Sequence, residues 1–220
     1  NGGYTIDPVG TGTRNFTSFG AAIAALGAGV TGPVVFTVAP KTFRGTASLT
    51  PVSGASAVNT ITFAATGTPA VLDANGALDA LTLADRCAHF VFDNLKIVNF
   101  TRYGVWLDGK SASTAGVTRC TFRNLEVIAG STSTRAVYLT YSDSNTFFRC
   151  VLRGGWACLF NKRSDGNLYD SCEMDGQNTA FYAAYFESNN DSDNVLQNSF
   201  LHSVQNSASG WGLVGRTWSD

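Results

Sequence analysis

The chain has 220 residues, of which only 14% are charged, and its formal net charge is −1. That balance provides no basic footprint for nucleic acid, and no stretch approaches the roughly 18 unbroken apolar residues of a membrane helix, so neither a nucleic-acid partner nor membrane insertion is expected. Length alone does not separate one large domain from two small ones. The 23 glycines, the many Ser, Thr and Asn residues and short β-branched runs describe a turn-rich all-β chain of the kind common outside cells. The opening "NGGYTIDPVG" lacks the basic flank and apolar centre of a signal peptide, so the expectation is a secreted or cell-surface protein whose leader has been trimmed.

In chain order, the first element is a helix in "TSFGAAIAALGAG". Phe19, Ala22, Ile23 and Leu26 fall on one face, Thr17 or Ser18 is the cap and Gly27 the stop. Short strands follow: "VVFTV" at Val34–Val38, "TITFAA" from Thr60, "VLD" at Val71–Asp73, "LTL" at Leu81–Leu83 and "FVF" at Phe90–Phe92, each bounded by turn formers. A phrase then recurs: "FDNLKI", "FRNLEV", "FFRCVL", "YDSCEM" and "VLQNSF". Aligned on Leu95, Leu125, Cys150, Cys172 and Asn198, it repeats at 30, 25, 22 and 26 residues. Phe92, Phe122, Phe147, Tyr169 and Val195 form one apolar column; Asn94, Asn124, Arg149, Ser171 and Gln197 form a column of turn residues. Each phrase leads to another strand ("GVWL", "AVYL", "ACLF", "AFYA", "GWGLV"), which makes three strands per repeat.

Such a unit cannot bury its own apolar side, but stacked units pile like on like about 4.8 Å apart. The fold predicted is all-β, a right-handed parallel β-helix of about seven turns with a short N-terminal capping helix. It forms one domain over residues 1–220, with an N-terminal strand and the helix in 1–33 and the coils in 34–220. A β-sandwich would need tight antiparallel hairpins, which this spacing does not provide. Five cysteines (Cys87, Cys120, Cys150, Cys158, Cys172) lack ligand spacing and are expected to be reduced and buried, with no zinc site.

The stretch "YTIDPVGTGTRNFTSFGAAIAALGAGVTGPVVFTV", continued by "SGASAVNTITFAA", resembles the opening of β-helix modules in large secreted or surface-attached bacterial proteins. The whole chain resembles the pectin-lyase-like superfamily of pectate lyases and polygalacturonases. The resemblance implies that the helix plugs the end of the apolar column and that one sheet with its flanking loops forms a groove for polysaccharide. It says little of activity, because the fold serves lyases, hydrolases, adhesins and spikes.

With Val105, Leu107, Val137, Leu139, Cys158, Phe160, Phe181 and Ala183 taken as inward, alternation places Trp106, Tyr138, Leu159 and Tyr182 outside, with Trp211 as a continuation. Aromatic rings stack on sugar faces, and Asp143, Asn161 and Glu187 at the rim would bind hydroxyls. Packing under loops or a contact between chains is the competing reading of the same column. For catalysis, the one cluster available is Lys162, Arg163 and Asp165 with Asp143 and Glu187; a lyase would add Ca²⁺, and otherwise no cofactor is expected. The same "NKRSDGN" run also reads as a solvated loop. The polygalacturonase N-T-D, D-D, G-H-G and R-I-K motifs and the pectate lyase W-x-D-H and R-x-P-x-x-R motifs are missing.

The sequence reading is therefore a secreted or surface module that binds a polysaccharide or cell-surface glycan without catalysis of its own. A polysaccharide lyase or glycoside hydrolase, and a spacer or assembly unit of a fibre or spike, stand as alternatives. The last stretch, "GWGLVGRTWSD", shows no recognisable closing cap, which suggests a fragment of a longer chain, with an end capped by loops or self-association through that end as the alternatives.

Overall fold

Three short strands separated by sharp bends, repeated along a chain, satisfy their backbone groups only by pairing with the coils on either side. The computed structural model describes residues 1–111, 116–188, 193–204 and 211–217, with Ser188 and residues 215–217 described by backbone alone. Within these residues the chain forms a right-handed parallel β-helix of seven coils, each giving one strand to each of three parallel sheets. In the third coil, Phe90–Asp93 lies in the first sheet, Leu95–Val98 in the second and Tyr103–Asp108 in the third. Among the described residues no helix is long and apolar enough to cross a membrane.

Two further strands, Gly2–Ile6 and Asn15–Phe16, extend the first sheet beyond the first coil. The helix Phe19–Ala25 lies at that end, where Ser18 Oγ accepts the Ala21 N–H at 3.2 Å. Phe19, Ala22 and Leu26 are buried, and the Phe19 ring meets Phe43 edge-on at 5.3 Å. The helix continues as a 3-10 turn, Leu26–Ala28, and ends at Gly29 with φ 78°. Gly29, not Gly27, is the stop, because only it takes the left-handed conformation that suits glycine.

The core is a ring stack through six coils: Phe36, Phe63, Phe92, Phe122, Phe147 and Tyr169, with centroids 4.6 to 5.5 Å apart. Contacts of this kind contribute about 0.5–1.5 kcal/mol each beyond burial. The bends between the first and second sheets sit at Asn94, Asn124, Arg149, Ser171 and Asn198, with φ from 50° to 56°. The last repeat is thus displaced by one from the sequence alignment. Leu196 continues below Tyr169 and Leu201 below Met174, while Val195 and Phe200 are exposed. Adjacent apolar residues fit the column in either register, and Asn198, which tolerates positive φ, takes the bend instead of Gln197.

After the third sheet the chain turns through an asparagine ladder, buried at Asn145 and Asn167. The Cys120 N–H donates to Asn145 Oδ1 at 3.0 Å, the Asn145 N–H to Asn167 Oδ1 at 2.9 Å and the Asn167 N–H to Asn194 Oδ1 at 3.0 Å. All five cysteines are free and buried.

Candidate functional site

The second to sixth coils meet the third sheet at a corner where two successive residues turn inward: Ala80 and Leu81, Gly104 and Val105, Ala136 and Val137, Cys158 and Leu159, Ala183 and Ala184. The first of each pair is small. A Cβ on Gly104 would lie 2.4 Å from Val127 Cγ1 and 2.6 Å from the Ala136 carbonyl oxygen. Alternation resumes only after the corner, so counting back through it misassigns the outer face. The central outer column runs Ser48, Thr82, Trp106, Tyr138, Phe160, Tyr185 and Val214. Trp106 and Tyr138 lie where expected. Leu159 is in the core and Phe160 outside, and Tyr185 takes the place assigned to Tyr182. Tyr182 belongs to a neighbouring outer column with Asp79, Tyr103, Arg135, Ala157 and Trp211.

These columns make a continuous aromatic surface. Ring centroids lie 4.5 Å apart for Tyr103–Tyr138, 5.2 Å for Tyr138–Phe160, 4.8 Å for Phe160–Tyr185 and 4.8 Å for Trp156–Tyr182. Trp156, Tyr182, Tyr185, Trp211 and Val214 line an open hollow of about 430 Å³. Burial pushes the Tyr138 phenol up to about 12, with Tyr103 beside it adding to the rise and Arg135 opposing it.

Arg135 lies among these rings, its guanidinium carbon 4.6 Å from the Trp156 centroid, 5.1 Å from Phe160, 5.5 Å from Tyr138 and 5.7 Å from Tyr103. Cation–π contacts of this kind are worth about 0.5–2 kcal/mol. Arg135 Nε is buried and, among the described residues, has no hydrogen-bond partner; the same holds for Trp106 Nε1. Nearby Arg102, by contrast, is held by Asp79 through Nε at 2.8 Å while lying 4.8 Å from the Trp106 ring.

The rim beyond the aromatic columns carries the residues considered for chemistry. Lys162 pairs with Glu187 at 3.4 Å on the next coil, and Arg163 hydrogen-bonds the Tyr141 hydroxyl. The Asp165 N–H donates to Asp143 Oδ1 at 2.8 Å, and burial raises the Asp143 carboxyl above its usual range, helped by the Asp165 charge. The structure therefore brings Lys162, Arg163, Asp165, Asp143 and Glu187 onto neighbouring coils at one margin of the face. Asn161 departs from expectation: it follows Leu107 and Leu139 down an inward column and is fully buried. Its Oδ1 accepts the Tyr169 hydroxyl at 3.1 Å and its Nδ2 donates to the Ser164 carbonyl at 2.9 Å. The hydroxyl of the last ring in the stack requires a buried acceptor, and Asn161 supplies it.

Sequence reasoning passed over Tyr103, Arg135, Trp156 and Phe160. The first three sit at or just before the start of a third-sheet strand, and the recurrence of a ring or guanidinium there was the available signal.

The outer face of the second sheet is charged. Lys96 pairs with Glu126 at 2.8 Å, Arg153 with Glu126 at 3.5 Å and Asp175 at 2.7 Å, and His202 Nε2 lies 3.1 Å from Glu173. Glu173, Asp175 and His202 bring ligand atoms within 4.8 Å of one another, but the Arg153 guanidinium already compensates the carboxylates.

No protein-family model and no curated protein matches the chain. Solved structures do. The pectate lyase Pel9A superposes with a TM-score of 0.67 at 16% identity, over 96% of this chain and 57% of its own. The pectin methylesterase PemA from Erwinia chrysanthemi gives 0.56 at 13% identity, over 94% and 67%. An alginate lyase from Paenibacillus sp. str. FPU-7 gives 0.56 at 16%, over 83% and 73%. The chain thus spans little more than half the length of the pectate lyase. At these identities the likeness is one of fold: this chain has the parallel β-helix of the pectin-lyase-like proteins.

Proposed function

We propose that this chain is a secreted or cell-surface module that binds an acidic polysaccharide on the outer face of its third sheet, without catalysis of its own. Sugar rings stack on Tyr138, Trp156, Tyr182 and Tyr185, and Arg135 receives a carboxylate. The observation that carries the reading is Arg135 itself, a guanidinium set among four rings with no carboxylate partner among the described residues. Arginine forms paired, charge-assisted hydrogen bonds with carboxylates and stacks on rings at the same time. The structural neighbours, named for pectate, pectin and alginate, support an acidic glycan as the ligand class. Lys162 and Glu187 border the face, and Trp106 extends it.

A second reading, a lyase or hydrolase, is favoured by one observation: the raised Asp143 carboxyl lies against Asp165 on the coil that carries Arg163 and Lys162. A carboxyl shifted toward neutrality is suited to proton transfer.

Both readings are tested by incubating the protein with polygalacturonate, alginate and a neutral glucan, following retention together with unsaturated or reducing-end products. Retention on the acidic polymers without product is expected. Product that disappears in Lys162→Ala and Asp143→Asn would replace binding by catalysis, and absence of both retention and product would overturn the proposal.

A further inference from the structure

In the column that begins with Leu95 and Leu125, the fifth and sixth coils place cysteines, Cys150 and Cys172, both buried. Their successors Val151 and Glu173 are paired in parallel register, and the Glu173 N–H donates to the Cys150 carbonyl at 2.9 Å. Stacked positions in such a ladder lie about 4.8 Å apart, inside the roughly 4.4–6.8 Å Cα window of a disulfide. The two thiols make equivalent contacts one coil apart, Cys150 donating to the Phe122 carbonyl at 3.4 Å and Cys172 to the Phe147 carbonyl at 3.5 Å. We infer that Cys150 and Cys172 form an oxidisable pair that closes to an inter-coil disulfide, stapling the coil that carries Trp156, Phe160 and Lys162.

The pair differs from the other cysteines. Burial pushes the thiols of Cys87, Cys120 and Cys158 up to about 12. The neighbouring Cys150 thiol lowers the Cys172 thiol, while burial raises Cys150. Access comes from the seventh coil, which packs directly on Cys172. Cys172 is 2% exposed and its N–H donates to the Ser199 hydroxyl of that coil, so reaction with a dissolved oxidant requires local opening there.

With a peroxide as oxidant, the Cys172 thiolate attacks an oxygen of the O–O bond, giving a sulfenic acid and hydroxide. The Cys150 sulfur then displaces water from the Cys172 sulfur, and the proton first released by Cys172 converts the hydroxide to a second water. Two thiols are oxidised and one peroxide is reduced to two waters.

The test treats the folded protein with hydrogen peroxide, and separately refolds it in a glutathione redox buffer, followed by intact mass and peptide mapping. The expected result is loss of two hydrogen masses, a mapped Cys150–Cys172 bridge and a thermal midpoint raised by several degrees. The loss should be abolished by Cys172→Ser and retained in the Cys87→Ser/Cys120→Ser/Cys158→Ser variant. If the Cys172→Ser chain does not fold, the triple variant alone decides, because it leaves one possible intramolecular pair. A different mapped bridge, or two free thiols in the triple variant after both treatments, would overturn the inference.

Discussion

The outer faces of the second and third sheets are built on the same seven coils, yet the arginine at the centre of each is held in a different way. On the second sheet Arg153 and its neighbours find their opposites one coil away: Lys96 with Glu126, and Arg153 with Glu126 and Asp175. On the third sheet Arg135 is held by rings instead, with its Nε buried and unpartnered among the described residues. A face whose charges are already neutralised has little to offer a ligand. One that keeps a half-buried guanidinium among aromatic rings without a carboxylate partner has hydrogen-bonding capacity in reserve, and leaving the buried Nε unused costs about 1–3 kcal/mol. The proposed function places binding on the third sheet because of this difference.

The comparison is broken most sharply at Arg135. Replacing it with Gln should weaken retention on polygalacturonate about 10- to 100-fold, the equivalent of losing one charge-assisted contact of about 1.5–3 kcal/mol, with little change in thermal stability because the lost cation–π contacts and the relieved buried Nε are of similar size. Arg135→Lys should recover only part of the retention, since an ammonium lacks the planar fork.

The next effect concerns the interior beneath the face. Asn161→Leu should destabilise the protein by about 1–2 kcal/mol by removing the Asn161 acceptor from the Tyr169 hydroxyl, and Tyr169→Phe in the same chain should restore part of it. Denaturant unfolding of the two single variants and the double variant measures the coupling; simple additivity would show that the buried pair is not the cause.

Arg153→Met tests the other side of the comparison. It removes the centre of the second-sheet ladder, where Arg153 is 27% exposed, and should cost about 1 kcal/mol in unfolding at low salt, less at high salt, while retention is unchanged. Loss of polysaccharide retention in this variant would erase the distinction between the faces.

Smallest is a pH effect at the rim. Because burial raises the Asp143 carboxyl, its contribution to stability is fully present below the ordinary carboxyl value and is lost as pH rises through the higher folded one. Asp143→Asn keeps an oxygen to accept the Asp165 N–H, so it should be slightly more stable than the parent at neutral pH and indistinguishable from it in acid. Thermal unfolding across that range checks the sign.

The repeat made the coils legible, because a column such as Phe92, Phe122, Phe147 and Tyr169 is a direct imprint of stacking. The site was read less well, for reasons that are also physical. Alternation holds along a straight strand, but the corner turns both Cys158 and Leu159 inward, and that displaced Phe160 and Tyr185 from the reading. The final repeat slipped because Val195 and Leu196 satisfy an apolar column equally, and only the bend at Asn198 decides between them. Asn161 looked like a rim residue because nothing in its own neighbourhood announces Tyr169, eight positions later, as its buried partner. Arg135 was missed since its importance lies in what surrounds it across three coils, not in any local motif.

The most direct test of the binding assignment is calorimetric titration of acidic galacturonate oligomers, and of neutral glucose oligomers of equal length, into the wild-type, Arg135→Gln and Arg153→Met proteins. The account predicts that the acidic oligomer binds wild type and Arg153→Met alike, that Arg135→Gln loses this binding, and that the neutral oligomer binds none of the three appreciably. Equal affinity of wild type and Arg135→Gln for the acidic oligomer would contradict it.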